Sequence, residues 1–236
     1  MSRQIERLRP HQIEAALSER SLIYLPLGTI EWHCQHLPVG LDGLTAHGLC
    51  LRAAEGTGGL VWPVLYYGTG GGHGAFPWTV MMPDRVEIEA LLTRAVQRLG
   101  QLGVAEVMLF SGHFADEQLQ MIDALAEGWN AQGILPRIRA FAVNRASVPG
   151  LPPDHAGLFE TTLLDGLTEG LIDLQALGAS PDLTDRFDPD SPLWGVVGTD
   201  PRLPPPLGKE ALVQHIVSIL TTFAEAKEPA RLNSRL

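Results

Sequence analysis

Short apolar segments alternate with longer amphipathic segments along most of this chain. Four apolar segments have the length and the β-branched or aromatic content of buried strands: SLIYLPLG (21–28), LVWPVLYYG (60–68), VAEVMLFSG (104–112) and IRAFAVN (138–144). In the second of these, Pro63 indicates an edge strand or an irregularity. Four longer segments carry the pattern of a helix with one apolar face: 10–20, 84–100, 116–129 and 208–226. Strands that alternate with helices of this length favour βαβ units. The sequence therefore predicts an α/β protein, with a mostly parallel sheet between two helical layers.

The composition favours one folded domain over the whole chain. Of the 236 residues, 45% are hydrophobic and 19% are charged, which suits a sizeable core and argues against disorder. We see no internal repeat and no domain boundary, so residues 1–236 are predicted to form a single domain. The longest irregular segment, 177–206, is rich in Pro, Asp and Gly. We interpret it as an excursion that packs on the domain or on another subunit.

Charge and patterning exclude several classes of function. The formal net charge of −10 disfavours binding to nucleic acid, because an acidic surface repels phosphates. No apolar run approaches the ~18 residues that a membrane span needs. The first residues, MSRQIERLRPHQIEAAL, lack the apolar stretch of a signal peptide, and two cysteines are too few for a disulfide framework. We therefore expect a cytoplasmic protein that acts on a small molecule.

Side chains that can bind a metal ion follow the first and third predicted strands. Glu31 and His33 come directly after the first strand, and Asp42 follows a turn containing Pro and Gly. His113 ends the third strand, with Asp116 one helical turn further on. Because ligands bind beyond the carboxyl ends of parallel strands, we expect these groups at one rim of the sheet. Nitrogen and oxygen ligands of this kind suit Zn²⁺ or Mn²⁺.

Each of these residues also has a simpler interpretation when it is taken alone. Glu31 is compatible with a carboxylate at a helix start, Asp42 with a cap of the next helix, and His113 with an ordinary turn residue. Only the combination at two strand ends favours a metal site. Cys34 alternates to the side opposite His33 in an extended chain, and we leave it out of the ligand set.

Two further segments carry candidate site residues. GTGGGHGAFPWTV (68–80) holds five glycines around His73, and glycine this dense permits close approach of the backbone to a ligand. It lacks the context of a dinucleotide fingerprint or a phosphate loop. PPDHAGLFETTLLDGL (152–167) places His155 and Glu160 near the start of a predicted helix. The two are neighbours only if the helix begins between them; otherwise they belong to a capping cluster.

In their order along the chain, these motifs resemble those of the creatininase (creatinine amidohydrolase) family. The first resembles the family's Glu-x-His-Gly-x-His-Leu-Pro segment and the Asp that follows it. The others resemble its His-x-x-Phe-Pro-Gly-Thr, Asn-Gly-His, His-Ala-Gly…Glu-Thr and Gly-Val-x-Gly-Asp-Pro segments. The matching stretches here are EWHCQHLP (31–38) with Asp42, HGAFPWT (73–79), SGH (111–113), HAGLFET (155–161) and GVVGTDP (195–201).

The resemblance implies a three-layer α/β/α sandwich and a metal-dependent hydrolase of carbon–nitrogen bonds, often those of cyclic amides. It implies one or two divalent metal ions per chain, Zn or Mn, with Fe as a further candidate. It also implies a homo-oligomer, and members of the family are often hexamers. In the two-metal members, Glu31 and His113 correspond to ligands of one metal, His33 to a ligand of the other, and Asp42 to the bridge.

The resemblance assigns the catalytic roles to the HAGLFET segment. His155 corresponds to the acid/base histidine and Glu160 to a site carboxylate near it. Water held by a metal ion has a pKa lowered toward neutrality and supplies hydroxide. His155 would then pass a proton to the leaving nitrogen, and Glu160 would orient His155 or itself bind metal. His73 and Asp116 are additional candidates for the site.

Three positions depart from the family pattern. Ala115 stands where creatininase itself has a Glu that binds the second metal, and Leu158 stands where relatives often carry Glu. Asp116 replaces the usual Asn and could compensate in part. We therefore predict a substrate other than creatinine. Two alternatives stay open: a single-metal deformylase or peptide-trimming hydrolase, and a catalytically silent relative that binds a small ligand.

Overall fold

The computed structural model describes residues 2–179 and 186–226. Its central sheet has four parallel strands: β1 (Leu22–Leu27), β2 (Leu60–Val61), β5 (Glu106–Ser111) and β6 (Arg137–Ala142). Their order across the sheet is β2–β1–β5–β6, which places the first and third predicted strands side by side. A separate parallel pair consists of β3 (Gly68–Thr69) and β4 (Met81–Met82).

Six α-helices accompany these strands in the described part of the chain. They are α1 (Pro10–Glu19), α2 (Leu41–Thr57), α3 (Val86–Gln101), α4 (Asp116–Asn130), α5 (Leu158–Leu167) and α6 (Lys209–Glu225). Short 3-10 turns lie at Ile5–Arg7, Val143–Arg145 and Leu174–Leu177. Each helix in the described ranges is too short or too polar to cross a membrane.

The helices cover both faces of the sheet. All six residues of β1 are buried, which explains why this strand reads as a continuous apolar run. Tyr24 and Phe110 belong to a core with helices α2, α5 and α6, whereas Ile23 and Leu109 belong to a second core with α1, α3 and α4. Successive side chains of a strand point to opposite faces, so one strand serves both cores. The predicted three-layer α/β/α sandwich is therefore confirmed.

The predicted strand over 60–68 is wrong in its extent. Only Leu60 and Val61 form a continuous ladder with β1, and the chain then leaves the sheet at Pro63. Proline has no N–H to donate to a strand ladder, so the pairing cannot continue through it. The chain returns at Leu65, whose N–H donates to Pro26, and enters β3 only after Tyr67.

The long irregular segment packs on its own chain where the structure describes it. Leu193 and Val196 are fully buried in a cluster with Cys34 and Leu37. Val197 forms an antiparallel bridge with His155, through hydrogen bonds of 2.8 and 2.9 Å. Residues 180–185 of the predicted excursion lie outside the described residues. The segment thus reaches the part of the molecule where the candidate site residues lie.

Candidate metal centre

The carboxyl ends of β1 and β5 lie side by side, and the start of α2 presses against both. Gly28 follows β1 and Gly112 follows β5. A Cβ atom at either position would collide with the backbone of Asp42 or Gly43. Only glycine permits this approach, which brings Asp42 to the strand ends that carry Glu31 and His113. Asp42 lies in the first turn of α2, whose N-cap is Gly40, so Asp42 does not cap the helix.

One group of ligand-type atoms forms around the imidazole of His113. Its Nδ1 lies 3.1 Å from Oε2 of Glu31 and 3.2 Å from Oδ2 of Asp42. The opposite nitrogen, Nε2, lies 3.2 Å from the carbonyl oxygen of Thr69, to which its N–H donates. This hydrogen bond selects the tautomer whose Nδ1 lone pair faces the two carboxylates, as is usual for a metal-binding histidine.

A second group forms around His33. Its Nε2 lies 3.4 Å from Oδ1 of Asp42 and 3.7 Å from Oε2 of Glu160. Its Nδ1 lies 3.0 Å from the carbonyl oxygen of Glu31 and donates to it, which leaves the Nε2 lone pair free to bind a cation. The two oxygens of Asp42 therefore face two different histidines. This is the arrangement that a carboxylate shared between two cations requires.

His73 and His155 complete the cluster from two loops. His73 Nδ1 lies 2.5 Å from Oε1 of Glu31, the oxygen that does not face His113. The His155 ring centroid lies 4.1 Å from that of His73 and 4.4 Å from that of His33. His155 Nε2–H donates to the carbonyl oxygen of Trp32 at 2.9 Å, so its Nδ1 lone pair is free. Four imidazoles thus surround three buried carboxylates.

Helix α5 begins between His155 and Glu160, which is the condition for the two to be neighbours. Glu160 Oε2 accepts the N–H of Ala156 at 2.7 Å. Asp154, which sequence reasoning did not single out, is the group that fixes this start. Its carboxylate accepts the N–H groups of Phe159 at 3.0 Å and of Glu160 at 3.3 Å. Asp154 lies three residues before the N-cap, Gly157, so the usual preference for Asp at an N-cap does not identify it from the sequence.

The donor atoms fit a divalent cation. Within the described residues, Glu31 Oε2, His33 Nε2 and Asp42 Oδ2 are buried and have no hydrogen-bond partner. Buried polar atoms in folded proteins are almost always hydrogen-bonded, so three such atoms facing one another need another explanation. Ligand atoms lie within 4.8 Å of one another in three sets: Glu31, His33 and Asp42; His33, His155 and Glu160; Glu31, His73 and His155. Nitrogen and oxygen donors in this mixture suit Zn²⁺ or Mn²⁺.

The electrostatics of the cluster favour positive charge at its centre. Burial would lower the pKa of His33, but Asp42 and Glu160 outweigh it and raise that pKa to about 10. Burial opposes protonation of His113 too, yet the adjacent carboxylates of Asp42 and Glu31 outweigh burial and raise its pKa to about 10. Burial would raise the pKa of Glu31, but the adjacent imidazoles of His113 and His73 outweigh burial and lower that pKa well below its ordinary value. The buried carboxylates therefore keep the neighbouring histidines protonated. A bound cation would supply positive charge at the same positions.

A cavity of about 240 Å³ opens onto this cluster. Gly71, Phe114, Ala115 and Asp116 line it beside the ligand residues. Asp116 is exposed and does not belong to the sets of ligand atoms described above. The structure therefore brings His73 into the cluster and Asp116 into the wall of the cavity. Two larger clefts of about 570 Å³ each lie elsewhere, one between α3 and α4 and one beside α5.

Cys34 and His36 belong to the same sequence motif as Glu31 and His33. The hydrogen bonds of their side chains, however, go to residues outside the metal-ligand cluster. The Cys34 thiol donates to the carbonyl oxygen of Pro192 at 3.0 Å, and its backbone has φ +61°. His36 Nε2 lies 3.0 Å from the hydroxyl of Thr161. Both residues hold the loop after β1 against neighbouring segments, and sequence reasoning had left Cys34 out of the ligand set.

Comparison with known proteins identifies relatives along most of the chain. A family model described as creatinine amidohydrolase matches residues 6–220. A creatinine amidohydrolase of Pseudomonas putida is 28% identical over 207 residues, which cover 78% of this chain and 77% of that protein.

Solved structures of creatininase share the fold. One superposes with a TM-score of 0.74 at 23% identity and covers 96% of this chain and 99% of that chain. A variant creatininase in a Zn–Zn form has a TM-score of 0.72, and a Mn form of creatininase has a TM-score of 0.71. Each of these two is 24% identical and covers 94% of this chain and 96% of that chain. Because the family model spans most of the sequence and the motif residues meet in one cluster, we conclude that this chain belongs to the creatininase family.

Proposed function

We propose that this protein is a metal-dependent hydrolase of an amide or cyclic amide bond in a small molecule other than creatinine. The observation that carries the proposal is the position of Asp42, whose two oxygens face His113 and His33 separately. Two groups of donors that share one carboxylate suit a pair of divalent cations better than they suit a structural role. Membership of a family of amidohydrolases supports the same reaction class.

The two groups supply separate binding positions. Glu31, His113 and Asp42 would hold one cation, and His33 with Asp42 would hold the other. Glu160 lies near His33 and is the carboxylate available at that second position, because Ala115 offers none. A divalent cation, Zn²⁺ or Mn²⁺, supplies Lewis acidity that polarises a carbonyl and lowers the pKa of bound water. Fe²⁺ accepts a similar donor set and is a third candidate.

His155 is the proposed acid/base group. Its Nε2–H is fixed on the Trp32 carbonyl, which aims Nδ1 away from that carbonyl and into the cluster. Burial and the neighbouring His33 ring lower the pKa of His155 to about 3. Its imidazole is therefore neutral at ordinary pH, and its Nδ1 lone pair is the position at which a proton would be held before it passes to the leaving nitrogen. Asp116 lines the cavity as an exposed carboxylate, and we propose it as a group that contacts the substrate there.

We also propose a homo-oligomer in the cytoplasm, with the hexamer as the form to be tested by sedimentation velocity. The acidic net charge of −10 supports a small-molecule substrate in preference to nucleic acid.

Two alternatives are tested by the same experiment. The loss of a carboxylate at Ala115 favours a single-metal enzyme, such as a deformylase or a peptide-trimming hydrolase. The absence of a carboxylate at both Ala115 and Leu158 would suit a catalytically silent relative that binds a small ligand. Elemental analysis of the purified protein separates the three possibilities: about two equivalents of metal per chain support the dinuclear enzyme, about one supports the single-metal enzyme, and none supports the silent relative.

Activity is then measured on a panel of linear amides, formamides, small lactams and creatinine, with and without a chelator. We expect hydrolysis of at least one amide, its loss on chelation and its return with Zn²⁺ or Mn²⁺. Glu31→Gln should abolish this activity, whereas Glu127→Gln, an exposed substitution on α4, should leave it unchanged. Absence of bound metal, together with unchanged ligand binding by Glu31→Gln, would overturn the proposal.

A further inference from the structure

Three aromatic side chains lie beside the metal-ligand cluster, and we refer to Trp32, Phe76 and Trp194 as the aromatic bracket. The Phe76 ring stacks on the Trp194 ring, with centroids 4.6 Å apart and an interplanar angle of 30°. Trp32 packs against Trp194 at 5.5 Å and 50°. The bracket joins the loop after β1, the Gly-rich loop before β4 and the irregular segment that contains residues 186–206.

Trp32, the residue between Glu31 and His33, is hydrogen-bonded to both of the other segments. Its indole N–H donates to the carbonyl oxygen of Trp194 at 3.0 Å. Its backbone N–H donates to the hydroxyl of Thr79 at 2.9 Å. Gly195 has φ +90°, and a Cβ there would lie 2.8 Å from the Trp32 indole nitrogen. Glycine at 195 is therefore required for the irregular segment to come this close.

The bracket reaches the ligand cluster through His73. The Phe76 ring meets the His73 ring edge to face, with centroids 5.4 Å apart and an interplanar angle of 83°. His73 in turn contacts Oε1 of Glu31. A continuous series of contacts therefore runs from Trp194 through Phe76 and His73 to a proposed metal ligand.

The loop that carries His73 contains little that could hold this imidazole by itself. Gly70, Gly71 and Gly72 precede it with φ values of +84°, +83° and +70°, and Gly74 follows it. Glycine loses more conformational freedom on ordering than any other residue, so such a loop is costly to fix. Packing of Phe76 on Trp194 is a contact that can offset this cost, because aromatic pairs gain energy beyond the area they bury.

We propose that Phe76 and Trp194 are positioning residues that hold His73 on Glu31. With Oε1 occupied by His73, the Glu31 carboxylate turns its other oxygen, Oε2, toward His113 and Asp42. Groups that hydrogen-bond to metal ligands in this way orient them, and their loss weakens metal binding. The consequence for metal binding rests on the proposed function. The position of His73 does not, so the two can be tested separately.

The experiment compares Trp194→Leu, Trp194→Phe and a control, Trp78→Leu. Trp78 lies in the same loop as Phe76 but is 79% exposed and lies outside the bracket. The first readout is the rate at which diethyl pyrocarbonate modifies His73 in the metal-free protein, followed by peptide mass spectrometry. The second is the Zn²⁺ affinity, measured by competition with a chromophoric chelator.

We expect Trp194→Leu to raise the rate of His73 modification by roughly two- to tenfold, the equivalent of one aromatic pair. Its Zn²⁺ affinity should fall by about 10- to 100-fold. Trp194→Phe should restore both values to near those of the wild type, and Trp78→Leu should change neither. An unchanged rate in Trp194→Leu, or an equal change in Trp78→Leu, would overturn the proposal.

Phe76→Leu provides the same test if Trp194→Leu does not fold. This substitution removes the aromatic ring that contacts both His73 and Trp194, and it leaves Trp194 in place. A raised modification rate of His73 in this variant would support the proposal, and an unchanged rate would overturn it. A wild-type protein that binds no Zn²⁺ would overturn the proposed function. The modification rate of His73 would still decide whether the bracket positions this imidazole.

Discussion

Asp42 Oδ2 lies 3.2 Å from Nδ1 of His113, although Asp42 lies in the first turn of α2 and His113 follows β5, with strands β2 to β4 and helix α3 between them in the chain. The same carboxylate turns its other oxygen to His33. A single side chain is therefore common to both groups of donors. Substitutions at this residue should affect both cations, whereas substitutions at the histidines should each affect one.

Asp42→Asn is expected to lose metal from both positions. An amide carries one oxygen and a weaker donor nitrogen, so it cannot serve two cations as a carboxylate does. We expect elemental analysis to give less than about one metal equivalent per chain, compared with about two in the wild type. His33→Ala should lose the second equivalent and retain the first. Full metal content in Asp42→Asn would contradict the bridging role.

Metal binding is expected to release protons from the protein. His33 and His113 have pKa values raised to about 10 without a cation, so both hold a proton at pH 8. A histidine must lose that proton to bind a metal, so affinity should rise with pH up to about 10. Titration calorimetry of Zn²⁺ at pH 8, in two buffers of different ionisation enthalpy, should give about two protons released per chain. Release of no protons would show that these imidazoles do not bind the cation.

The metal-free protein is expected to lose stability as pH rises. The pKa values of His33 and His113 lie above their usual 6.5 in the folded state. A raised pKa contributes stability that is fully present below 6.5 and is lost as pH rises through about 10. We expect the urea midpoint of the chelated protein to fall between pH 6.5 and 10. The Zn²⁺-loaded protein, in which these protons are already displaced, should change less, and equal slopes would contradict the assignment.

Asp154→Ala is expected to destabilise the fold by about 2 kcal/mol, because two buried N–H groups at the start of α5 lose their acceptor. Burial raises the pKa of Asp154 to about 6, so the comparison is made at pH 8, where the carboxylate is charged. Urea unfolding provides the measurement. Asp173→Ala removes an exposed carboxylate that caps a 3-10 turn, and this control should cost only about 0.5 kcal/mol, the low end for loss of a capping side chain. Equal effects of the two substitutions would rule out a special role for Asp154.

His155→Ala separates proton transfer from metal binding. If His155 is the acid/base group, kcat should fall by about 10²- to 10⁴-fold while the metal content stays that of the wild type. The measurement is steady-state kinetics on the best amide substrate, together with elemental analysis of the same preparation. Loss of a metal equivalent would instead identify His155 as a ligand, which its place in two of the ligand sets allows.

The strands and helices could largely be predicted because their signals are local. The apolar run of β1 and the helical stripe of α3 depend on residues that are neighbours in sequence. The strand predicted over 60–68 failed at Pro63, where a missing N–H outweighs apolar content. That Glu31, His33, Asp42 and His113 lie together was also predictable, because parallel strands direct their ends to one rim; their role as metal ligands stays a prediction.

The loop contributions to the site could not be predicted in the same way. His155 and Glu160 meet only because α5 starts between them, and that start depends on the capping carboxylate of Asp154. His73 reaches Glu31 from a loop rich in glycine, whose sequence permits many conformations. Its position depends on Phe76 and on Trp194, which lies more than a hundred residues further along the chain.

The glycines at the strand ends have a consequence for how such a site can change. Gly28 and Gly112 bring the backbone of α2 directly against the ends of β1 and β5. The spacing between Asp42 and its two histidines is therefore set by contacts between main chains, which side-chain replacements elsewhere do not alter. The walls of the cavity, including Phe114 and Asp116, can then diversify while the reactive centre keeps its dimensions. Exchange of loop residues would then change which substrate fits the cavity, without moving Asp42 relative to its two histidines.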